Sequence, residues 1–192
     1  VVTRKSSETL FFESNLERNF ISLLSFDEDV TSIITQPTTI NWIYKRRKNK
    51  YTPDVLVECK NLLDPFNPVR KYIFEVKPTK ILNDQWGIFY NRFYAATKWC
   101  RERGYLFKLV TEKYIETPYL KNVHFLLQYD KSRFPPSDLN IVPAIESQIH
   151  SILNHSPLSI NELLSALSQD KTAQQQLLPY IWMLVRHGKL NA

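Results

Sequence analysis

The sequence predicts a mixed α/β fold, a sheet flanked by helices, followed by a small all-helical unit. Three observations carry that expectation. β-branched and aromatic residues concentrate in Thr39–Tyr44, Tyr51–Cys59 and Arg70–Lys77, as they do in strands. An amphipathic stretch from Asp84 to Arg103 follows, then strand-like runs at Tyr105–Val110 and Val123–Leu127. A meander followed by a helical crossover gives a mixed sheet. Beyond the proline-rich stretch Lys131–Pro143, apolar residues recur only at helical spacing.

Residues 1–9 read as a loose lead-in. Ser14 with Glu17 three residues on has capping-box spacing, which starts a helix near Ser14. Leu16, Phe20, Leu23 and Leu24 give that helix one apolar face. Gln36-Pro37 closes the connection ahead of the first strand. Lys45–Lys50 reads as a polar turn, and Asn61–Pro68, with two prolines, as a hairpin loop. Gly104 is placed to stop the long helix. In the C-terminal part, helices are expected over Ala144–Asn154, from Ser159-Ile160-Asn161-Glu162 onward, and over Ala173–His187, with Gly188 as a stop. Pro179 predicts a kink or a late start in the last of these. Three short helices fit a helix-turn-helix or winged-helix unit. The expected domains are therefore 1–133 and 134–192.

Composition narrows the function classes. A hydrophobic content of 43% in 192 residues supports a globular core, and three glycines exclude a glycine-rich phosphate loop. Two cysteines, Cys59 and Cys100, are too few for a disulfide framework or a zinc site and read as small core residues. The four histidines have no ligand spacing. No apolar run approaches the roughly 20 residues of a membrane span. No charged-then-apolar segment opens the sequence, so no membrane association is expected and the cytoplasm is the expected compartment. A net charge of +6 favours an anionic partner.

The chemistry lies in Tyr51-Thr52-Pro53-Asp54-Val55-Leu56-Val57 and Ile73-Phe74-Glu75-Val76-Lys77-Pro78. Two carboxylates and an ammonium on neighbouring apolar strands are costly to bury without partners. Glu75 and Lys77 share a strand face by period 2, and pairing of the two strands can bring Asp54 beside them. Hard oxygen ligands suit Mg²⁺ or Mn²⁺. A metal there would polarise a phosphodiester and activate water. Lys77 would orient that water or offset charge on the phosphate. This is the pattern of metal-dependent DNA hydrolysis. Glu17 reads either as the capping glutamate or as a third carboxylate turned toward the metal. Lys45, Arg46, Arg47, Lys48 and Lys50, beside the Asp54 strand, are candidates for binding flanking phosphates. Arg92, Lys98, Arg101 and Arg103 read as the wet face of the long helix, and Tyr90, Phe93, Tyr94 and Trp99 as its core side.

Ser14-Asn15-Leu16-Glu17, Gln36-Pro37, Thr52-Pro53-Asp54-Val55-Leu56-Val57 and Glu75-Val76-Lys77-Pro78, in that order, resemble TnsA, the endonuclease subunit of heteromeric bacterial cut-and-paste transposases, including CRISPR-associated ones. The likeness covers the N-terminal domain, and the C-terminal unit looks like that family's winged-helix-like domain. The resemblance implies a restriction-endonuclease-like core with Glu17, Asp54 and Glu75 as acidic metal-site residues and Lys77 as the catalytic lysine. It implies hydrolysis of the non-transferred strand near the 5′ transposon ends during excision. It further implies transposon-end double-stranded DNA, a TnsB-like transposase and a TnsC-like ATPase regulator as partners, in a bacterial cytoplasm. The alternatives are a stand-alone restriction or resolvase-like nuclease and an inactive DNA-binding or assembly adaptor.

Overall fold

The sheet of this protein begins one strand earlier than periodicity suggests. The computed structural model describes residues 3, 5–64, 66–154 and 156–190. Val1, Val2 and Arg4 of the lead-in, Pro65 of the expected loop and His155 lie outside these. Helix α1 (Asn15–Phe26) leads into strand β1 (Val30–Thr35), which the sequence reading treats as connection. A bulge between Val30 and Ser32 explains the miss. It spaces the buried Val30 and Ile33 three apart, which imitates a helix rather than a period-2 strand.

The next segments also divide differently. Strands β2 (Ile40–Tyr44) and β3 (Arg47–Tyr51) form a separate hairpin. Its turn is only Lys45-Arg46, both left-handed at φ 47° and 61°, so most of the expected polar turn is strand. The expected strand Tyr51–Cys59 breaks at Thr52-Pro53-Asp54, where Pro53 has no N–H to offer a ladder, and resumes as β4 (Val55–Lys60). Strand β5 (Val69–Val76), helix α2 (Thr79–Arg101) and strand β6 (Leu106–Val110) follow. The main sheet has the order β1-β4-β5-β6, antiparallel except for the parallel β5–β6 pair that α2 connects. The mixed α/β expectation is met.

The pleat divides this unit into layers. Leu16, Phe20, Ile21 and Leu24 of α1 pack with Ile33, Val55, Val57, Val76 and Val110. Phe89, Phe93 and Ala96 of α2 pack with Phe107, and Ile40 and Tyr51 of the hairpin join them. Because Ile73 pairs with Phe107 and Glu75 with Leu109, Glu75 belongs to the α2 side of the sheet. Helix α2 loses regular geometry at Gln85 (φ −125°, ψ 20°). Its first turn lacks a capping side chain at Pro78. The carboxylate of Glu112, at the start of helix α3 (Glu112–Ile115), substitutes by accepting from Thr79 N at 2.7 Å.

The expected strand Val123–Leu127 is helical. Pro118 opens helix α4 (Pro118–Leu126), and Leu120 and Val123, three apart, are both buried. The chain divides into two units after Lys121 rather than after Arg133. The reason is aromatic: Phe125 and Tyr129 meet Trp182 at ring separations of 5.0 and 6.4 Å, within the second unit. That unit holds the short helix α5 (Pro136–Leu139) and the helices α6 (Val142–Leu153), α7 (Ile160–Leu167) and α8 (Lys171–Arg186). Ser159 and Glu162 form the expected capping box, complete in both directions. Pro179 neither delays nor divides α8. Ile181, Met183 and Leu184 are buried just beyond it, and their packing with Ile145, Ile149 and Leu163 offsets the backbone bond it removes. Among the described residues this unit contains helices and no strand, and no helix is long and apolar enough to cross a membrane.

Trp182→Ala should destabilise the C-terminal unit by about 2–4 kcal/mol, since it removes a large ring with two aromatic neighbours. Denaturant unfolding followed by near-UV circular dichroism measures this. A loss below about 0.5 kcal/mol would mean that the three rings do not hold the unit together.

Candidate active site

The β4–β5 register assembles the site. Val55 pairs with Phe74 in the antiparallel ladder. One step further, Asp54 comes opposite Glu75 on the same face. The backbone then pins the side chain: Val76 N donates to Asp54 Oδ2 at 2.7 Å. Lys77 N continues the β5–β6 ladder by donating to Val110 O at 3.0 Å. This sets the Lys77 side chain on the Glu75 face, as the period-2 reading expects. Its Nζ lies 3.2 Å from Glu75 Oε1 and 3.4 Å from Asp54 Oδ2, and donates to Val76 O at 3.1 Å. The structure therefore brings Asp54, Glu75 and Lys77 together.

Two further residues complete the cluster, and the sequence reading assigns a role to neither. Glu75 is only 1% exposed, and the Tyr51 hydroxyl donates to its Oε2 at 2.5 Å. Tyr51 ends β3, directly before the Thr-Pro-Asp break, so the hairpin delivers a donor that the main sheet lacks. The Arg92 guanidinium lies 5.3 Å above the Tyr51 ring, a cation–π contact. Gln36 has a left-handed backbone (φ 48°), unusual for a non-glycine residue. Its N–H donates to Asp54 O at 2.9 Å, and its Nε2 donates to Glu13 Oε1 at 2.9 Å. Gln36 thus ties the backbone of Asp54 to the segment that opens α1. The sequence marks Gln36 through the Gln36-Pro37 motif of the family resemblance, but its spacing does not reveal the bond to Asp54.

Glu17 works first as a cap. Ser14 Oγ accepts from Glu17 N at 3.2 Å and donates to Glu17 Oε1 at 2.8 Å, while Glu17 Oε2 accepts from Glu13 N at 2.8 Å. The reciprocal backbone bond goes to Glu13, one residue before the usual capping-box position. Glu17 is 9% exposed, and its charge still reaches Asp54. Lys45, Arg46, Arg47, Lys48 and Lys50 are all exposed on the hairpin and outside the carboxylate cluster. Lys45 and Arg46 form the turn, Arg47 pairs with Tyr44, and Lys48 and Lys50 lie on the opposite face. The aromatic residues of α2 separate in a way the sequence reading does not anticipate. Phe93 is core, but Tyr90 and Tyr94 are 55% and 66% exposed, because they fall on the solvent side of the helix. Cys100 is buried and Cys59 half-buried, and burial pushes both thiols up, Cys100 to about 11.

The electrostatics are lopsided. Burial first, and the Glu75 charge second, push Asp54 up to about 7 against the pull of Lys77 and the Val76 N–H, and Glu17 adds a smaller push upward. Burial acts to lower Lys77, but Glu75 and Asp54 outweigh it and the net shift is upward. Lys77 is therefore an ammonium at neutral pH and acts here as a cation. Burial and the adjacent Glu75 hold the Tyr51 hydroxyl protonated, as a donor. Excess negative charge around a single ammonium fits a hard cation. Among the described residues, no three His, Cys, Asp or Glu side chains gather into a metal-binding group. Asp54 and Glu75 are a pair, and a pair is what magnesium ordinarily takes from protein, with water and phosphate oxygens for the rest.

A mixed sheet carrying a carboxylate pair, with a lysine just past the end of the same strand, is the arrangement that the sequence reading expects of a nuclease-type α/β domain. The family follows from comparison. Residues 27–112 match the model described as TnsA-like endonuclease N terminal, and residues 115–190 match the one described as TnsA endonuclease C terminal. The chain belongs to the TnsA endonuclease family and is a transposase endonuclease subunit. No curated protein matches it significantly.

A carboxyl group that binds its proton more tightly folded than unfolded makes stability fall as pH rises between its two pKa values. In EDTA, Asp54 should therefore make the wild-type protein less stable at pH 8 than at pH 5, and Asp54→Asn should flatten that fall. Urea unfolding at both pH values measures it, and an equally steep fall in the variant would remove Asp54 as the cause. Tyr51→Phe leaves a buried carboxylate short of one donor and should cost about 1–3 kcal/mol. Unchanged unfolding in that variant would show that the Tyr51–Glu75 contact contributes nothing.

Proposed function

We propose that this endonuclease subunit hydrolyses the non-transferred DNA strand near the 5′ transposon ends during excision, with Mg²⁺ as its natural ion and Mn²⁺ as a substitute. The observation that carries this reading is the convergence of Asp54, Glu75 and Lys77 across the β4–β5 register. Asp54 and Glu75 would hold the ion, and Glu17 would contribute negative charge from the first turn of α1. When bound, the ion would polarise the scissile phosphodiester and lower the pKa of a water. Lys77, held protonated by its two carboxylates, would offset charge on the phosphate and orient the attacking water. Tyr51 would keep Glu75 in position. The exposed cations of the β2–β3 hairpin would hold phosphates flanking the cut.

Partners follow from the family. A TnsB-like transposase would cut and join the other strand, a TnsC-like ATPase would regulate the assembly, and transposon-end duplex DNA would be the substrate. The C-terminal helical unit is the proposed docking element for the regulator. The work would take place in a bacterial cytoplasm.

A strand-resolved cleavage assay on transposon-end DNA, with the partner transposase, tests the proposal. Cutting of the 5′ strand in Mg²⁺ should vanish in EDTA and in Asp54→Ala. Lys77→Ala should slow single-turnover cleavage about 10²–10³-fold while DNA association persists. Cutting that survives in Asp54→Ala would sink the metal assignment. A Lys77→Ala variant that binds more weakly but cuts at the normal single-turnover rate would remove its catalytic role.

A further inference from the structure

The exposed rings of α2 border an open groove of about 710 Å³ between that helix and β2. Its walls are Ile40, Trp42 and Tyr44 on the strand and Tyr90, Tyr94 and Trp99 on the helix. The volume lies within the range of roughly 300–1,000 Å³ typical of ligand sites. Large exposed aromatic faces in one concavity are uncommon on a surface without a partner.

Charge identifies the partner. Lys98 lines the groove, and Lys45 at the hairpin turn lies 5.5 Å over the Tyr44 ring. The remaining hairpin cations are exposed close by in sequence, and one acidic residue, Glu102, is in the lining. The cores of protein-binding surfaces are depleted in lysine. Aromatic faces interleaved with cations are instead the composition of single-strand nucleic-acid platforms, where bases stack and phosphates meet ammonium groups. The groove and the candidate active site share the β2–β3 hairpin. Ile40 pairs with Tyr51, whose hydroxyl holds Glu75, and Arg92, next to the lining residue Asn91, covers the Tyr51 ring.

We propose that this groove binds a short unpaired stretch of DNA beside the phosphodiester to be cut, with bases stacked on Tyr90 and Tyr94. A base inside a duplex has no free face to offer these rings, so the groove selects DNA that is frayed or melted at the cutting position. The placement beside the cut rests on the nuclease reading; the binding itself does not.

The test uses the full chain in EDTA, so its outcome is independent of whether the chain cuts. Fluorescence anisotropy at one fixed salt concentration compares a labelled oligothymidine strand with a labelled duplex of mixed sequence. Tyr90→Ala/Tyr94→Ala should weaken oligothymidine binding roughly tenfold or more and leave duplex binding nearly unchanged. Tyr90→Phe/Tyr94→Phe should restore it, since stacking needs the ring and not the hydroxyl. Both positions are more than half exposed, and circular dichroism checks that the variants fold. The proposal is overturned if the wild-type chain does not bind oligothymidine, if the alanine pair loses both DNAs equally, or if the phenylalanine pair is as weak as the alanine pair. It is also overturned if oligothymidine binding survives in the alanine pair and binding to the partner transposase is lost instead, which would make the groove a protein-docking surface.

Discussion

Burying Glu75 is the constraint on which the rest of the N-terminal unit depends. A carboxyl group at 1% exposure needs a donor on each oxygen, and the two donors come from different parts of the fold. Lys77, on the same strand, serves one oxygen, and Tyr51, from a hairpin outside the main sheet, serves the other. The hairpin must therefore pack where it does, over α2, for the sheet to tolerate its own glutamate. Ile40 and Ala96 fill that contact with apolar area, so the polar bond sits on a packed foundation.

Asp54 is held by a different logic. Its side chain is fixed by a backbone N–H of β5, and its backbone by a residue of the β1 end. The break at Thr52-Pro53 makes this possible. A continuous strand would have committed the local backbone to a ladder, whereas the break lets β3 and β4 belong to different sheets and leaves Asp54 at the first turn into β4. Charge balance is left incomplete, with one ammonium, Lys77, between the carboxyl groups of Asp54 and Glu75.

Asp54, Glu75 and Lys77 were legible in the sequence because strand geometry is nearly deterministic at short range. Period 2 places Glu75 with Lys77, and apolar runs on both sides mark the strands. Tyr51 was not legible as a site residue, because a tyrosine at a strand end looks the same whether it fills a core or donates to a buried acid. Strand β1 was hidden by its bulge, which shifts the burial spacing to that of a helix. Glu17 could be read as a cap from spacing alone, and the structure adds that the reciprocal bond reaches Glu13. Tyr90 and Tyr94 are exposed where the sequence predicts core, because aromatic content alone does not say which side of a helix a ring occupies. The unit division was displaced because the prolines near Pro135 mark a bend in the chain, while Phe125 and Tyr129 had already joined the second core.

The left-handed backbone of Gln36 gives this architecture a built-in conflict of interests. At φ 48° a glycine would relax the backbone, and nearly any other side chain would leave it as strained. Yet glycine would have no amide to reach Glu13, and the link between the α1 entrance and the Asp54 carbonyl would be cut. Local comfort and long-range alignment thus pull on one position in opposite directions. A variant selected only for thermal robustness would be drawn toward glycine there, and would exchange the alignment of its acidic cluster for a calmer turn.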